Sequence, residues 1–182
     1  MKHFKTGFLF FLIFLAACSE QLDFNQAEGF NHSPVMQTSL AYFTLFPNDF
    51  MDSVTGAEIL NGRSDISDFR IFENSFLRDN LQKIVIDIEV KNEITKNFTA
   101  LVEFLDDNGT IIYTFSTNII SSQNLVFTHQ EIIQISSNPT IVNATKVRIL
   151  VALSSSSSNP LIENDPSEFE FKSSGTYFIE TE

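Results

Sequence analysis

The chain has 182 residues, a net charge of −12 at pH 7, 43% hydrophobic residues, 20 phenylalanines and one cysteine. That length suits a single domain, and one cysteine excludes an intramolecular disulfide. The negative charge opposes contact with nucleic acid and with anionic lipid headgroups. We therefore expect no polynucleotide partner, and a fold that is held by its core alone.

The first seventeen residues have the order of parts of a signal peptide. Lys2 and Lys5 form a basic start, Gly7–Leu15 is a nearly continuous run of Phe, Leu and Ile, and two alanines lead to Cys18. The run is too short for a spanning helix, which needs about 20 apolar residues. Two interpretations fit its end: an ordinary cleavage site beside an incidental cysteine, or a lipidation site.

The sequence Leu15-Ala16-Ala17-Cys18 resembles the lipobox of bacterial lipoproteins. The resemblance implies a signal peptide over residues 1–17, lipid attachment at Cys18 and a place in the cell envelope, at the outer membrane, on its periplasmic or surface side. Two or more acyl chains then hold the protein where one chain would bind only marginally. Ser19-Glu20 is also similar to the acidic export signal of Bacteroidota-type surface lipoproteins, with Gln21 replacing a further acidic residue.

Residues 18–38 are predicted to form a lipidated, flexible tether. They are rich in Gln, Asn, Asp, Glu and Ser and show no sustained apolar period. Such a composition buries too little apolar surface to offset the entropy of ordering the chain. We expect the folded domain to cover residues 39–182.

The pattern of apolar residues before Leu81 predicts one strand and one helix. Leu40–Phe46 is dense in aromatic and aliphatic residues and predicts a strand. Between Ser64 and Leu81 the apolar residues are spaced three and four apart, which predicts a short helix with Ser64 or Ser67 as its N-cap. The apolar residues concerned are Ile66, Phe69, Phe72, Phe76 and Leu77.

A hairpin is the best-specified part of the domain. Asn108-Gly109 suits a type I′ turn, and a turn at that point places three pairs opposite one another: Phe104 and Tyr113, Val102 and Phe115, Phe98 and Ile119. All these residues share one face, so that the turn and the apolar pattern predict the same register. The preceding strand, from Lys83, alternates in the same way, with Ile84, Ile86, Ile88 and Val90 on one face.

The remaining chain predicts three more strands. Leu125–Ile135 and Thr145–Leu153 alternate, Ser154–Ser158 is typical of an exposed loop, and Phe169, Phe171, Tyr177 and Ile179 share one parity, with a bulge or split expected at Ser173–Gly175. Together the elements predict an all-β fold, an immunoglobulin-like antiparallel β-sandwich of about seven strands with one short helix.

The sequence offers little for catalysis. It has no Gly-x-Ser-x-Gly elbow and no glycine-rich phosphate loop. His129 and Glu131 share a strand face, which suits a half-exposed edge pair better than an acid–base or metal site. Glu163, Asp165 and Glu168 fit a solvated acidic loop better than a calcium site. We expect no catalytic residue, no cofactor and no metal ligand, and hence no enzyme.

A non-catalytic binding module is the function that these features favour. It would be anchored to the membrane through the lipid on Cys18 and would present the sandwich to a protein or a glycan. The alternative is a structural accessory subunit of an outer-membrane complex, and a hydrolase that uses His129 comes third. Exposed aromatic residues on a sheet face would favour a glycan, and a wide apolar patch would favour a subunit.

Overall fold

The computed structural model describes residues 33–119, 126–154 and 160–181. They form eight strands, one α-helix and three short 3-10 helices. The strands are β1 (Val35–Leu45), β2 (Arg63–Asp68), β3 (Leu81–Asn92), β4 (Phe98–Leu105), β5 (Ile111–Ile119), β6 (Val126–Gln134), β7 (Lys146–Leu153) and β8 (Phe169–Ile179). The helix α1 covers Ser75–Asn80, and the 3-10 helices cover Pro47–Phe50, Ile71–Glu73 and Pro139–Asn143.

The strands form two four-stranded antiparallel sheets, in the orders β1-β8-β3-β6 and β2-β7-β4-β5. The predicted all-β sandwich with one short helix is confirmed. Its connectivity is that of an eight-stranded jelly roll, because successive strands change sheet everywhere except at the β4–β5 hairpin. This strand order differs from the sheets ABED and CFG of an immunoglobulin domain; the sequence predicted the sandwich architecture and about seven strands but no strand order, and the structure has eight strands. Local patterns identify the strands, but they do not say which sheet each strand joins.

The core lies between the two sheets and follows the alternation of the strands. The alternate apolar residues of β3, β4 and β7 are all buried: Ile84, Ile86, Ile88, Val90; Phe98, Ala100, Val102, Phe104; Val147, Ile149, Val151, Leu153. The ring of Phe98 on β4 packs against rings from two other elements. Its centroid lies 5.0 Å from that of Phe50, in the 3-10 helix after β1, and 4.7 Å from that of Phe169 on β8. Burial of each such ring contributes about 1.5–3 kcal/mol.

The β4–β5 hairpin has the predicted register but not the predicted turn. Phe104 faces Tyr113, Val102 faces Phe115 and Phe98 faces Ile119. Gly109 has a φ of +80°, whereas Asn108 is outside the left-handed region, so the turn is not type I′. The Asp106 carboxylate instead accepts hydrogen bonds from the Asn108 and Thr110 amides, at 2.9 and 2.8 Å. A register shift after Phe104 restores the predicted pairs.

The predicted helix over Ser64–Leu81 is too long. Its first part is the strand β2, and the helix α1 begins only at Ser75. Asn74, not Ser64 or Ser67, is the N-cap, and its side chain accepts a hydrogen bond from the Leu77 amide at 3.4 Å. The first part is a strand because all six residues of β2 pair with β7. The hydrogen bonds and packing of this pairing outweigh the weak helical preference of the local sequence.

The folded domain begins earlier in the sequence than the predicted residue 39. The compact unit begins at Ser33, and residues 35–38, assigned above to the tether, are paired with β8 in β1. These four residues, of which Val35 and Met36 are apolar, lie on an edge strand with their side chains exposed to solvent. The signal peptide, Cys18 and the predicted tether as far as residue 32 lie outside the described residues, as do Leu125 and residues 155–159. The last strand is not split, since β8 is continuous through Ser173–Gly175; the pairing does shift at Ser173 and Ser174, but the extra residue of that bulge lies on β1.

Candidate functional site

A recess of about 690 Å³ crosses the outer face of the β1-β8-β3-β6 sheet. We call it the sheet-face trough. Two rows of outward side chains border it, each with one residue from every strand: Ser39, Ser174, Asp87 and Gln130 in the first row, and Tyr42, Lys172, Glu89 and Thr128 in the second. Its floor is formed by the strand segments between the rows, at Ala41, Ser173, Ile88 and His129.

The strand period explains why polar residues gather there. On β3 the isoleucines point into the core, so the residues between them, Asp87 and Glu89, point outward. The same alternation places Lys172 and Ser174 outward on β8. Residues directly opposite one another in an antiparallel pair have Cβ atoms about 4.5–5.5 Å apart. Each row is therefore a continuous band of side chains across the sheet.

A β-bulge brings the β1 residues into these rows. Ser39 faces Ser174, but Ala41 faces Ser173, so that β1 carries one extra residue between them. Residues three apart normally point to opposite faces of a strand. The bulge allows both Ser39 and Tyr42 to face outward and border the trough.

The charged groups of the trough already have partners. Gln130 Nε2 donates to Asp87 Oδ1 at 2.8 Å. Lys172 Nζ lies 3.7 Å from Glu89 Oε1 and 3.2 Å from Glu170 Oε1, a residue just beyond the second row. Hydrogen bonds from Tyr42 and Lys172 lower the pKa of Glu170, and the bond to Glu170 raises the pKa of Lys172. Both groups therefore stay charged near neutral pH.

Tyr42 is the exposed aromatic residue of the trough. Its side chain is 64% exposed, and its hydroxyl donates to Glu170 Oε1 at 2.9 Å. Lys172 Nζ lies 5.9 Å from the ring centroid. The hydroxyl bond and the cation–π contact hold the ring at the end of the second row, on the edge strand of the sheet.

His129 and Glu131 face the other way, into the open side of the sandwich between β6 and β5. The Tyr113 hydroxyl donates to Glu131 Oε1 at 2.5 Å, and burial together with that bond raises the pKa of Tyr113 to about 12. The His129 ring stacks on Phe115 at a centroid distance of 5.9 Å. His129 Nε2 is buried, has no hydrogen-bond partner and lies 3.8 Å from Glu131 Oε2. This arrangement is packing at a sandwich edge and contributes no side chain to the trough.

In the 160–168 loop, the Asp165 carboxylate is used locally, because it accepts a hydrogen bond from the Ser167 amide at 2.9 Å. The backbone amide of Glu168 donates a hydrogen bond to the Glu93 carboxylate. Within residues 33–119, 126–154 and 160–181, no three His, Cys, Asp or Glu side chains are placed to hold a metal ion. The same residues contain no helix that is long and apolar enough to cross a membrane.

No protein-family model and no curated protein matches the sequence. The fold is similar to that of a Parabacteroides distasonis protein described as secreted, at 11% identity and a TM-score of 0.45, over 81% of this chain and 38% of that one. It is also similar to infectious bursal disease virus VP2, at 10% identity and 0.43, over 81% and 33%. A Bacillus endospore appendage protein matches at 11% and 0.31, over 82% and 88%. The chain thus spans about a third of the first two proteins, and likeness at this level carries no argument about function.

Proposed function

We propose that the chain is a lipid-anchored, non-catalytic module of the cell envelope that binds a saccharide in the sheet-face trough. The observation that carries the binding role is the pairing of an exposed aromatic ring with two rows of hydroxyl, amide and carboxylate groups across one sheet. The anchor and the binding role rest on different residues, and each has its own test.

The anchor rests on the lipobox-like sequence that ends at Cys18. Sixteen residues separate this cysteine from the start of β1 at Val35. At about 3.4 Å per residue, even a fully extended segment reaches no more than about 55 Å. The module would therefore work close to the membrane that holds it.

The binding role rests on matched chemistry. Saccharide hydroxyls both donate and accept hydrogen bonds, as do the hydroxyls of Ser39, Thr128 and Ser174 and the amide of Gln130. Asp87 adds a carboxylate oxygen beyond the one bound by Gln130. The apolar faces of sugar rings pack on exposed aromatic rings, and Tyr42 offers such a ring.

The position of His129 favours binding over catalysis. A general acid or base must come within hydrogen-bond reach of the reacting group. His129 contributes strand backbone to the floor of the trough, while its Nε2 is buried on the opposite side of β6. A hydrolase built on this histidine would need a second recess inside the sandwich edge.

The alternative, an accessory subunit, has less support. A subunit interface usually shows a wide exposed apolar patch. Exposed apolar side chains of the described residues are spread over several elements, such as Ile66 on β2, Phe76 on α1 and Ile111 on β5. Two strands carry a pair each, Val35 and Met36 on β1 and Val126 and Ile132 on β6.

Cys18→Ser tests the anchor. We expect this variant to lose incorporation of labelled fatty acid and to leave the membrane fraction, while Ser19→Ala, next to it, remains labelled and membrane-bound. Lipid incorporation into Cys18→Ser, or its retention in the membrane fraction, contradicts the anchor.

Tyr42→Ala tests the binding role. The mature protein in detergent is run through gels that contain different polysaccharides, and retardation measures binding. We expect Tyr42→Ala to abolish retardation, and Phe76→Ala, which removes an exposed aromatic from α1, to leave it unchanged. Equal losses in both variants, or no retardation by any polysaccharide, contradict the proposal. Release of reducing ends from a bound polysaccharide contradicts its non-catalytic part.

A further inference from the structure

We infer that the sheet-face trough selects an uncharged saccharide chain, laid across the four strands, and rejects anionic chains. The inference rests on the proposed saccharide binding and specifies its ligand class. Three features of the trough carry it: its charge balance, the partners of its charged groups and the direction of its rows.

The charge balance opposes anionic ligands. The two rows contain two carboxylates, Asp87 and Glu89, and one ammonium, that of Lys172. A third carboxylate, Glu170, lies beside the second row and bonds both Tyr42 and Lys172. The ammonium of Lys91, opposite Glu170 on β3, is itself paired with Glu93 at 2.6 Å, so the excess of negative charge remains. A sulfate, phosphate or uronate in the trough would meet this excess of negative charge at short range, where repulsion is strong.

The existing partners also remove the attraction for a cationic chain. The ammonium of Lys172 is shared between Glu89 and Glu170, at 3.7 and 3.2 Å. Asp87 is bound by the Gln130 amide at 2.8 Å. Each charge is thus partly satisfied within the protein, and the hydroxyls of Ser39, Thr128 and Ser174 provide further polar contacts. An uncharged chain of hydroxyl groups is the ligand that disturbs these bonds least.

The rows set the direction and length of the ligand. Each row crosses four strands, and neighbouring strands lie about 4.8 Å apart, so the trough is about 14 Å long. This length accommodates a short run of sugar units rather than one. The rows end on β1 and β6, the two edge strands of the sheet, so neither row ends against a further strand of the described chain. A segment within a longer polymer can therefore lie across the sheet.

A matched pair of ligands tests the inference. The mature protein in detergent is titrated with neutral polysaccharides and with the same polysaccharides after chemical sulfation, and with chitosan as a cationic chain. We expect a neutral polysaccharide to bind at least about tenfold more tightly than its sulfated form. Its affinity should change little between about 0.01 and 1 M salt, because no net ion pairing drives binding.

A charge-removing variant links the selectivity to the trough. Glu89→Gln should reduce the factor by which the protein binds a neutral polysaccharide more tightly than its sulfated form. The control is Glu73→Gln, which removes an exposed carboxylate on the 3-10 helix before α1. It should leave this factor unchanged. Binding of sulfated chains as tight as or tighter than neutral ones, or binding of chitosan alone, overturns the inference while saccharide binding stands. If neither neutral nor charged polysaccharides bind, the proposed function fails with it.

Discussion

The fully buried ammonium of Lys96 lies 2.6 Å from Oε1 of Glu58. Lys96 is in the turn between β3 and β4, and Glu58 is in the long connection between β1 and β2. The same Oε1 accepts a hydrogen bond from the Leu161 amide at 2.9 Å, in the connection between β7 and β8. One carboxylate oxygen therefore joins three connections that are far apart in the sequence.

Glu58→Gln should lower the free energy of unfolding by about 3–5 kcal/mol, because it leaves a buried ammonium without its counter-charge. Urea unfolding of the mature protein measures the change. Glu93→Gln is the matched control, since Glu93 pairs with Lys91 at 2.6 Å at the surface, where an ion pair contributes about 1 kcal/mol or less. A loss below about 1 kcal/mol in Glu58→Gln would show that the buried pair is not formed.

The same pair predicts a dependence on pH. Burial alone would raise the pKa of Glu58, but the hydrogen bonds from Lys96 and Leu161 and the charge of Lys96 bring it below its usual 4.5. A carboxylate with a lowered folded-state pKa stabilises the fold above its unfolded-state pKa and loses that contribution as the pH falls. The difference in unfolding free energy between wild type and Glu58→Gln should be constant above about pH 5 and should shrink below pH 4.5. If the difference in unfolding free energy instead grows as the pH falls, the pKa of Glu58 is not lowered in the folded protein.

Two glycines with left-handed backbones provide a matched pair. Gly56 and Gly62 have φ values of +69° and +72°. A Cβ on Gly56 would meet nothing within 4 Å, whereas one on Gly62 would lie 2.8 Å from Ala152 Cα and closer still to the Val151 carbonyl. Gly56→Ala should cost about 1–2 kcal/mol of stability, and Gly62→Ala clearly more, because β7 backbone must move. Equal costs in thermal or urea unfolding would contradict the close approach.

The β4–β5 hairpin shows what the sequence can predict. Its pairs follow from apolar residues at alternate positions and from a turn that lies only a few residues away. The turn type was predicted wrongly because Asp106 binds the turn amides, which stabilises a different turn around Gly109. Local chemistry and local pattern were sufficient for the register but not for the turn.

The sheet-face trough could not be predicted in the same way. Its rows join Tyr42 with Lys172, and Glu89 with Thr128, across long separations in sequence. Two features of the fold create these rows: the jelly-roll order of the strands and the bulge after Ser39. Both depend on contacts among distant strands, and no short pattern in the sequence reports them. The alternation of isoleucines on β3 implies that the residues between them, Asp87 and Glu89, point outward, but it does not identify the residues beside them on the neighbouring strands.

The first four residues of β1 lie where the predicted tether meets the folded domain. Val35, Met36, Gln37 and Thr38 face Phe178, Tyr177, Thr176 and Gly175 of β8. Their side chains are exposed, so their contribution comes mainly from the backbone ladder. Deletion of residues 19–38 should therefore lower the free energy of unfolding by about 1–3 kcal/mol, for a few hydrogen bonds of about 0.5–1.5 kcal/mol each. Deletion of residues 19–32, which ends before the compact unit, should change it by no more than about 0.5 kcal/mol.

Urea unfolding of both deletion variants, with Cys18 retained, measures these changes. A third variant keeps the full length but replaces residues 35–38 with Gly and Ser, so that the loss of these side chains is separated from the loss of the backbone ladder and from a shorter connection to the lipid. We expect it to be destabilised less than the 19–38 deletion, because Gly and Ser still supply backbone donors and acceptors. Limited proteolysis should cleave the wild-type chain before Ser33 and leave β1 attached to the resistant core. If deletion through residue 38 leaves the stability unchanged, these residues belong to the tether after all.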